Sequence, residues 1–123
     1  MIDGWTSAVA TAALIRKGEL SAVEVAETTL ARIAGEDGWL NSFTTVTAER
    51  AHAEAAAVDA ARARGETLPP LAGVPYAVKN LFDLEDVVTI AGSKIERERP
   101  PAERARSCGL WHGPSCAFSV VKP

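Results

Sequence analysis

The spacing of apolar positions changes several times along the chain, and each change marks an element. Over residues 6–17, Val9, Ala13 and either Leu14 or Ile15 make a loosely amphipathic helical pattern, with Gly18 where a C-terminal cap belongs. At residues 20–25 the local signal is sharper. Ser21 is placed to cap the free amides of a second helix while Glu24 reaches back, and Leu20 and Val25 can close over the pair as a hydrophobic staple. Val23, Ala26, Leu30 and Ile33 follow at helical spacing on one face, and Gly35 is the expected fraying point. Residues 39–46, with Phe43, Thr44, Thr45 and Val46, read as a strand or extended segment. From 47 to about 64 an alanine-rich helix carries Ala48, Ala51, Ala55 and Val58 on one face, suited to close packing on another element. Glu49, Arg50, Glu54, Asp59 and Arg62 fall elsewhere on it and read as a solvated face, and Gly65 closes the helix.

The period then shortens. Pro69-Pro70 stiffens the approach to a strand at 71–78, whose first half, with Gly73 and Pro75, is expected to be irregular or at an edge. Its apolar run from Val74 to Val78 stops abruptly at Lys79, and Leu81-Phe82 follows. After an acidic turn at Glu85 and Asp86, residues 87–90 form a second β-prone run. Ala91-Gly92-Ser93 ends it, as a plain turn or as an amide nest, the turn being the simpler reading. Residues 95–103 are charged and proline-broken, an exposed connection. From about Ala105 no period is visible until the last few residues; this stretch holds Cys108 and Cys116 and no acid. Such a tail has little means of completing a core begun by helices and strands.

Composition narrows the class. A chain of 123 residues has the size of one domain, and 47% hydrophobic with 24% charged residues is the average of a soluble globular protein. The net charge of −3, with no basic block, argues against a nucleic-acid partner. No apolar run is long enough to span a bilayer, and the N-terminus lacks the basic region and apolar run of a secretory signal, so no membrane partner and a cytoplasmic location are expected. Two cysteines without a signal are weak evidence for a disulfide. His112 lies between them but His52 sits far away in a helical pattern, so a zinc site is not expected. No repeat, phosphate loop or histidine-containing triad occurs.

The candidate for chemistry is Lys79. An amine desolvated at the end of a buried strand would disfavour its ammonium form and could accept a proton. The alternative is a lysine whose stem lies along apolar surface with its head in water, and the residues alone favour this plainer reading.

The block at 70–83, Pro-Leu-Ala-Gly-Val-Pro-Tyr-Ala-Val-Lys-Asn-Leu-Phe-Asp, followed by Thr-Ile-Ala-Gly-Ser at 89–93, resembles the N-terminal part of the amidase-signature family. Ile15-Arg-Lys-Gly-Glu-Leu-Ser21 with Glu24 is similar to the opening helices of that family, and Leu40-Asn-Ser-Phe-Thr-Thr-Val46 to its next segment, in the same order. The wording of 93–101 is closest to the branch acting on biuret-like compounds. The resemblance covers about residues 5–103. It implies an α/β fold, here the N-terminal helices plus the first strands of an amidase-type mixed sheet, incomplete. It also implies hydrolysis of amide C–N bonds by a Ser–cis-Ser–Lys triad without metal or organic cofactor, on a small amide or urea-like substrate of biuret type, in an oligomeric parent. Lys79 falls on the catalytic lysine of the family.

The departure is as informative. Family members run to several hundred residues, and the Gly/Ser-rich stretch that carries both serines has no counterpart in 1–123; Ser93, Ser107, Ser115 and Ser119 lack its context. The division implied is an amidase part at 1–104 and a non-homologous tail at 105–123, for which a reading-frame shift with early termination is the hypothesis. Translation of the coding DNA tests it: a neighbouring frame that does not resume the Gly/Ser loop overturns it. The chain alone is then expected to be inactive and poorly stable. The rival expectation is a non-catalytic helical interaction module docking through the alanine-rich face around Ala55.

Overall fold

The computed structural model describes residues 3–103 and 117–121. Among these, three α-helices and a three-stranded mixed sheet follow in the order α1 (Ala8–Lys17), α2 (Ala22–Leu40), β1 (Phe43–Thr45), α3 (Ala48–Ala63), β2 (Tyr76–Lys79) and β3 (Ala117–Val121), with a 3-10 turn at Ile95–Glu98. Most of this follows from local signals. Ser7 starts α1 by accepting the Ala10 amide at 3.2 Å, and Gly18, at φ 75°, ends it in the left-handed conformation that glycine adopts without a Cβ clash. The Ser21–Glu24 capping box forms in full, with bonds of 3.0 and 2.8 Å.

The end of α2 departs from the expectation. The helix passes Gly35 and takes in Trp39 and Leu40, so the extended segment expected from 39 shortens to Phe43–Thr45. Asn41, at φ 51°, ends the helix, and the Asp37 carboxylate accepts the amides of Ser42 and Phe43. That satisfied exit holds the last turn in place although each glycine costs about 1 kcal/mol relative to alanine.

The helices share one core. Ile15 of α1, Ala22, Val25 and Ala26 of α2, and Ala51, Ala55 and Val58 of α3 pack together with Ala72 from the loop before β2. Alanine dominates, so the helices approach closely. Gly73 completes the junction at φ 77°: a Cβ there would lie 2.8 Å from Ile15 Cδ1 and 2.9 Å from Ala22 Cβ. Ala55 is 0% exposed, so the face that a helical interaction module would offer is already occupied by the chain's own core. The rival reading thereby loses the docking face it relied on. Asp59 is also no member of a solvated face: it reaches from α3 to accept the Ala22 and Val23 amides at the start of α2, at 2.9 and 3.1 Å.

The sheet is ordered β1-β3-β2, with β3 antiparallel to β1 and parallel to β2. The end of the tail thus supplies the central strand, against which α3 also lies, contrary to the expectation that it has little means of completing the fold's core. The β-prone run at 87–90 forms no strand. The Ile90 amide and the Thr89 hydroxyl donate instead to Asn80 and Asp83, which hold the run to the loop after β2. Ala102 bridges back to this loop, its carbonyl accepting the Asp86 amide at 2.9 Å and its own amide donating to Val87 O at 3.2 Å, so the 95–103 connection is anchored at its far end. The cysteines, His112, Ser107 and Ser115 lie outside the described residues.

Candidate functional site

β2 begins only at Tyr76, after the turn at 71–73, as Gly73 and Pro75 imply. Alternation along it sends Val78 into the core and leaves Ala77 and Lys79 exposed. Lys79 therefore stands at the open end of the strand with its head toward solvent. Lys79 is exposed, so the described residues do not supply the desolvation that the chemical reading of a strand-end lysine requires.

The chain reverses at once after the lysine. The Lys79 carbonyl accepts the amides of Leu81 at 2.8 Å and Phe82 at 3.1 Å, a tight turn that fixes the strand end. Inside that turn lies Asn80, 0% exposed. Its Nδ2 donates to Thr44 Oγ1 at 2.9 Å, its Oδ1 accepts the Ile90 amide at 2.8 Å, and its carbonyl accepts the Ala91 amide at 2.9 Å. Asp83 adds a further tie, accepting from Thr89 Oγ1 at 2.8 Å. Sequence reasoning passed over Asn80. The only available signal was a carboxamide set between a strand and an apolar pair.

The segment held in this way ends in the turn that the sequence suggested. Ala91 and Gly92 both have positive φ, 48° and 76°, and the Ser93 amide closes on Ile90 O at 2.8 Å, the geometry of a type I′ turn. Ser93 is half-buried, and its Oγ accepts the Ile95 amide at 3.3 Å. The structure thus brings together β2 with Lys79, β1 through Thr44, and the 89–93 turn. A separate cleft of about 340 Å³ lies between the N-terminal arm, α1 and α2, lined by Asp3, Arg32, Glu36 and Val74 among others, and Lys79 is not part of it. No group of acids, histidines and cysteines suited to a metal occurs among the described residues. Among the same residues, no helix is long and apolar enough to cross a membrane.

The family model described as Amidase matches residues 24–110, which takes in β2, Lys79 and the 89–93 turn. The chain belongs to the amidase-signature family. It is 62% identical over 88 residues to AtzE, the 1-carboxybiuret hydrolase subunit of Pseudomonas sp. (strain ADP), covering 72% of this chain and 19% of that protein. It is 47% identical over 110 residues to the A subunit of the glutamyl-tRNA(Gln) amidotransferase of Thermobifida fusca (strain YX), covering 85% of this chain and 22% of that one. A solved structure of a vestigial protein complex, tied to the evolutionary origins of an s-triazine catabolic enzyme, superimposes with a TM-score of 0.89 at 49% identity, over 94% of this chain and 26% of its own. The chain thus spans about a fifth of the length of the curated relatives it matches. The likeness seen in the motif at 93–101 agrees with the AtzE match. The incomplete α/β architecture agrees with the superposition.

Proposed function

We propose that residues 1–104 are the lysine-bearing part of a serine amidase that hydrolyses C–N bonds of a small amide or urea-like substrate of biuret type. The observation that carries the reading is Lys79 at the end of β2, inside the family-matched stretch and beside a turn tied to β1 and to the 89–93 segment. In this reading the neutral lysine amine takes the proton of a middle serine, which takes that of the nucleophilic serine. The serine oxygen attacks the amide carbonyl, the C–N bond breaks with the proton returned to the leaving nitrogen, and water then cleaves the acyl-enzyme. Backbone amides of a Gly/Ser-rich loop stabilise the oxyanion. Because Lys79 is exposed here, the burial that favours a neutral amine comes, in this proposal, from the segment carrying the serines. Residues 1–123 alone supply the lysine and no family-type serine pair, and they do not turn over amides by themselves.

The substrate class rests on the higher identity to AtzE than to the amidotransferase relative. Assembly with further chains is proposed because AtzE is one subunit of its hydrolase, and one of the superimposed structures is a protein complex. The test is a graft in which residues 1–104 replace the matching segment of AtzE. Ammonia release from 1-carboxybiuret is expected to persist, and Lys79→Ala in the graft is expected to lower kcat by roughly a thousandfold or more. A Lys79→Ala graft of undiminished activity overturns the role of the lysine. A seryl adduct trapped in the isolated 123-residue chain during amide turnover overturns the division of labour.

A further inference from the structure

We infer that Asn80 is the positioning residue for Lys79. The inference rests, for its functional meaning, on the reading of Lys79 as the acid–base group. Asn80 is the fully buried polar side chain at the strand end, and it is spent entirely on other parts of the chain. Its carboxamide donates to Thr44 of β1 at 2.9 Å and accepts from Ile90 at 2.8 Å, so one planar group spans two segments 36 and 10 residues away along the chain. A side chain that only stabilised the turn could bond within the turn. Asn80 instead fixes the backbone from which Lys79 projects to β1 on one side and to the 89–93 segment on the other.

The chemistry explains the residue type. A carboxamide offers a donor and an acceptor at once without a charge, and both are needed in a site closed to water. Leucine, of similar size, would leave the Ile90 amide without its acceptor and Thr44 Oγ1 without this donor. Aspartate keeps an oxygen for Ile90 and can accept from the Thr44 hydroxyl, but it lacks the donor and brings a charge into the buried site, so it is a partial replacement. Lys79 itself is exposed, and among the described residues its side chain makes no bond that would hold it still. Its placement depends on the backbone, which β3 and the turn hold locally and which Asn80 ties to β1 and to the 89–93 segment.

The experiment uses the 123-residue chain, compared as wild type, Asn80→Leu, Asn80→Asp and Thr44→Val, with amide hydrogen exchange and ¹⁵N relaxation by NMR. In Asn80→Leu, exchange at Ile90 and Ala91 is expected to accelerate by about tenfold or more, the worth of one well-made bond. The order parameters at Lys79 and Leu81 are expected to fall toward the flexible range, below about 0.6. Val25 and Val58, in the helical core, are expected to keep their exchange rates. Asn80→Asp is expected to restore part of the protection at Ile90, and Thr44→Val to loosen Lys79 by a smaller step than Asn80→Leu. Uniform acceleration at Val25, Val58, Ile90 and Ala91 would mean a merely structural residue and overturn the inference, as would an unchanged Lys79 order parameter. If Asn80→Leu does not fold, Asn80→Asp and Thr44→Val decide the same comparison. Failure of the lysine reading shows elsewhere, as an active Lys79→Ala graft with the Asn80 bonds intact.

Discussion

Asp59 and Asn80 carry most of what a single side chain does in this structure, and neither was legible from its neighbours in sequence. Each bonds to residues more than thirty positions away, Asp59 to the first amides of α2 and Asn80 to Thr44. Local patterning could see only an acid on a polar helix face and an amide after a strand. Ser21 and Glu24, whose bonds close within three residues, were fully legible. The difference has an energetic consequence. Asp59 meets free donors at a helix N-terminus, where a carboxylate acceptor is favoured by both hydrogen bonding and the helix dipole. Asp59→Ala is therefore expected to lower the unfolding free energy of the chain by about 1–2 kcal/mol in urea titration. Glu49→Ala, in the first turn of α3 and with no such bond among the described residues, loses only the helix-dipole contribution and is expected to change it by less, about 0.3–1 kcal/mol.

Helices were read closely because their signals are periodic and end in caps, and strands less well because their partners are distant. The run at 87–90 has strand composition, yet the amide of Ile90 goes to Asn80 and the hydroxyl of Thr89 to Asp83, so its hydrogen bonds are spent on the loop. β3 comes from a stretch with no pattern beyond Phe118, Val120 and Val121, and its place between β1 and β2 is a matter of long-range pairing. For α2 the cap makes a pH-dependent prediction. The Ser21 amide, and then its hydroxyl, hold the Glu24 carboxyl below its ordinary value of 4.5. A folded value below the unfolded one means that the contribution is present above about pH 4.5 and lost as pH falls through the depressed value. Thermal unfolding followed by helical circular dichroism is expected to show a falling midpoint between about pH 5 and pH 3. Glu24→Gln is expected to give a flatter profile over that range, since its neutral amide still accepts from Ser21 but does not titrate. Equal slopes for the two chains would assign the acid sensitivity to other carboxylates.

At the scale of the whole molecule, a satisfied helical core coexists with an open sheet. The core of Ile15, Val25, Val58 and the alanines around them is closed, whereas β2 has β3 on one side and, among the described residues, no strand on the other. Beside that edge Leu81 is 49% and Phe82 46% exposed, a paired apolar surface directly after the strand that carries Lys79. An unpaired edge next to exposed apolar side chains is a template for association. In the proposed amidase this surface is covered by the segment bearing the serines, the same segment that would desolvate the lysine, so burial of the edge and activation of the amine are one event. It follows that the 123-residue chain by itself should show its mass rising with concentration over about 1–100 μM in light scattering. Leu81→Ser with Phe82→Ser should reduce that rise while leaving the helical signal unchanged, because neither residue belongs to the helical core. A cooperative melt and a monomeric mass across the whole range would show that the edge needs no cover. The exposed lysine would then belong to a finished surface, and the reason for placing a serine-bearing segment over it would be gone.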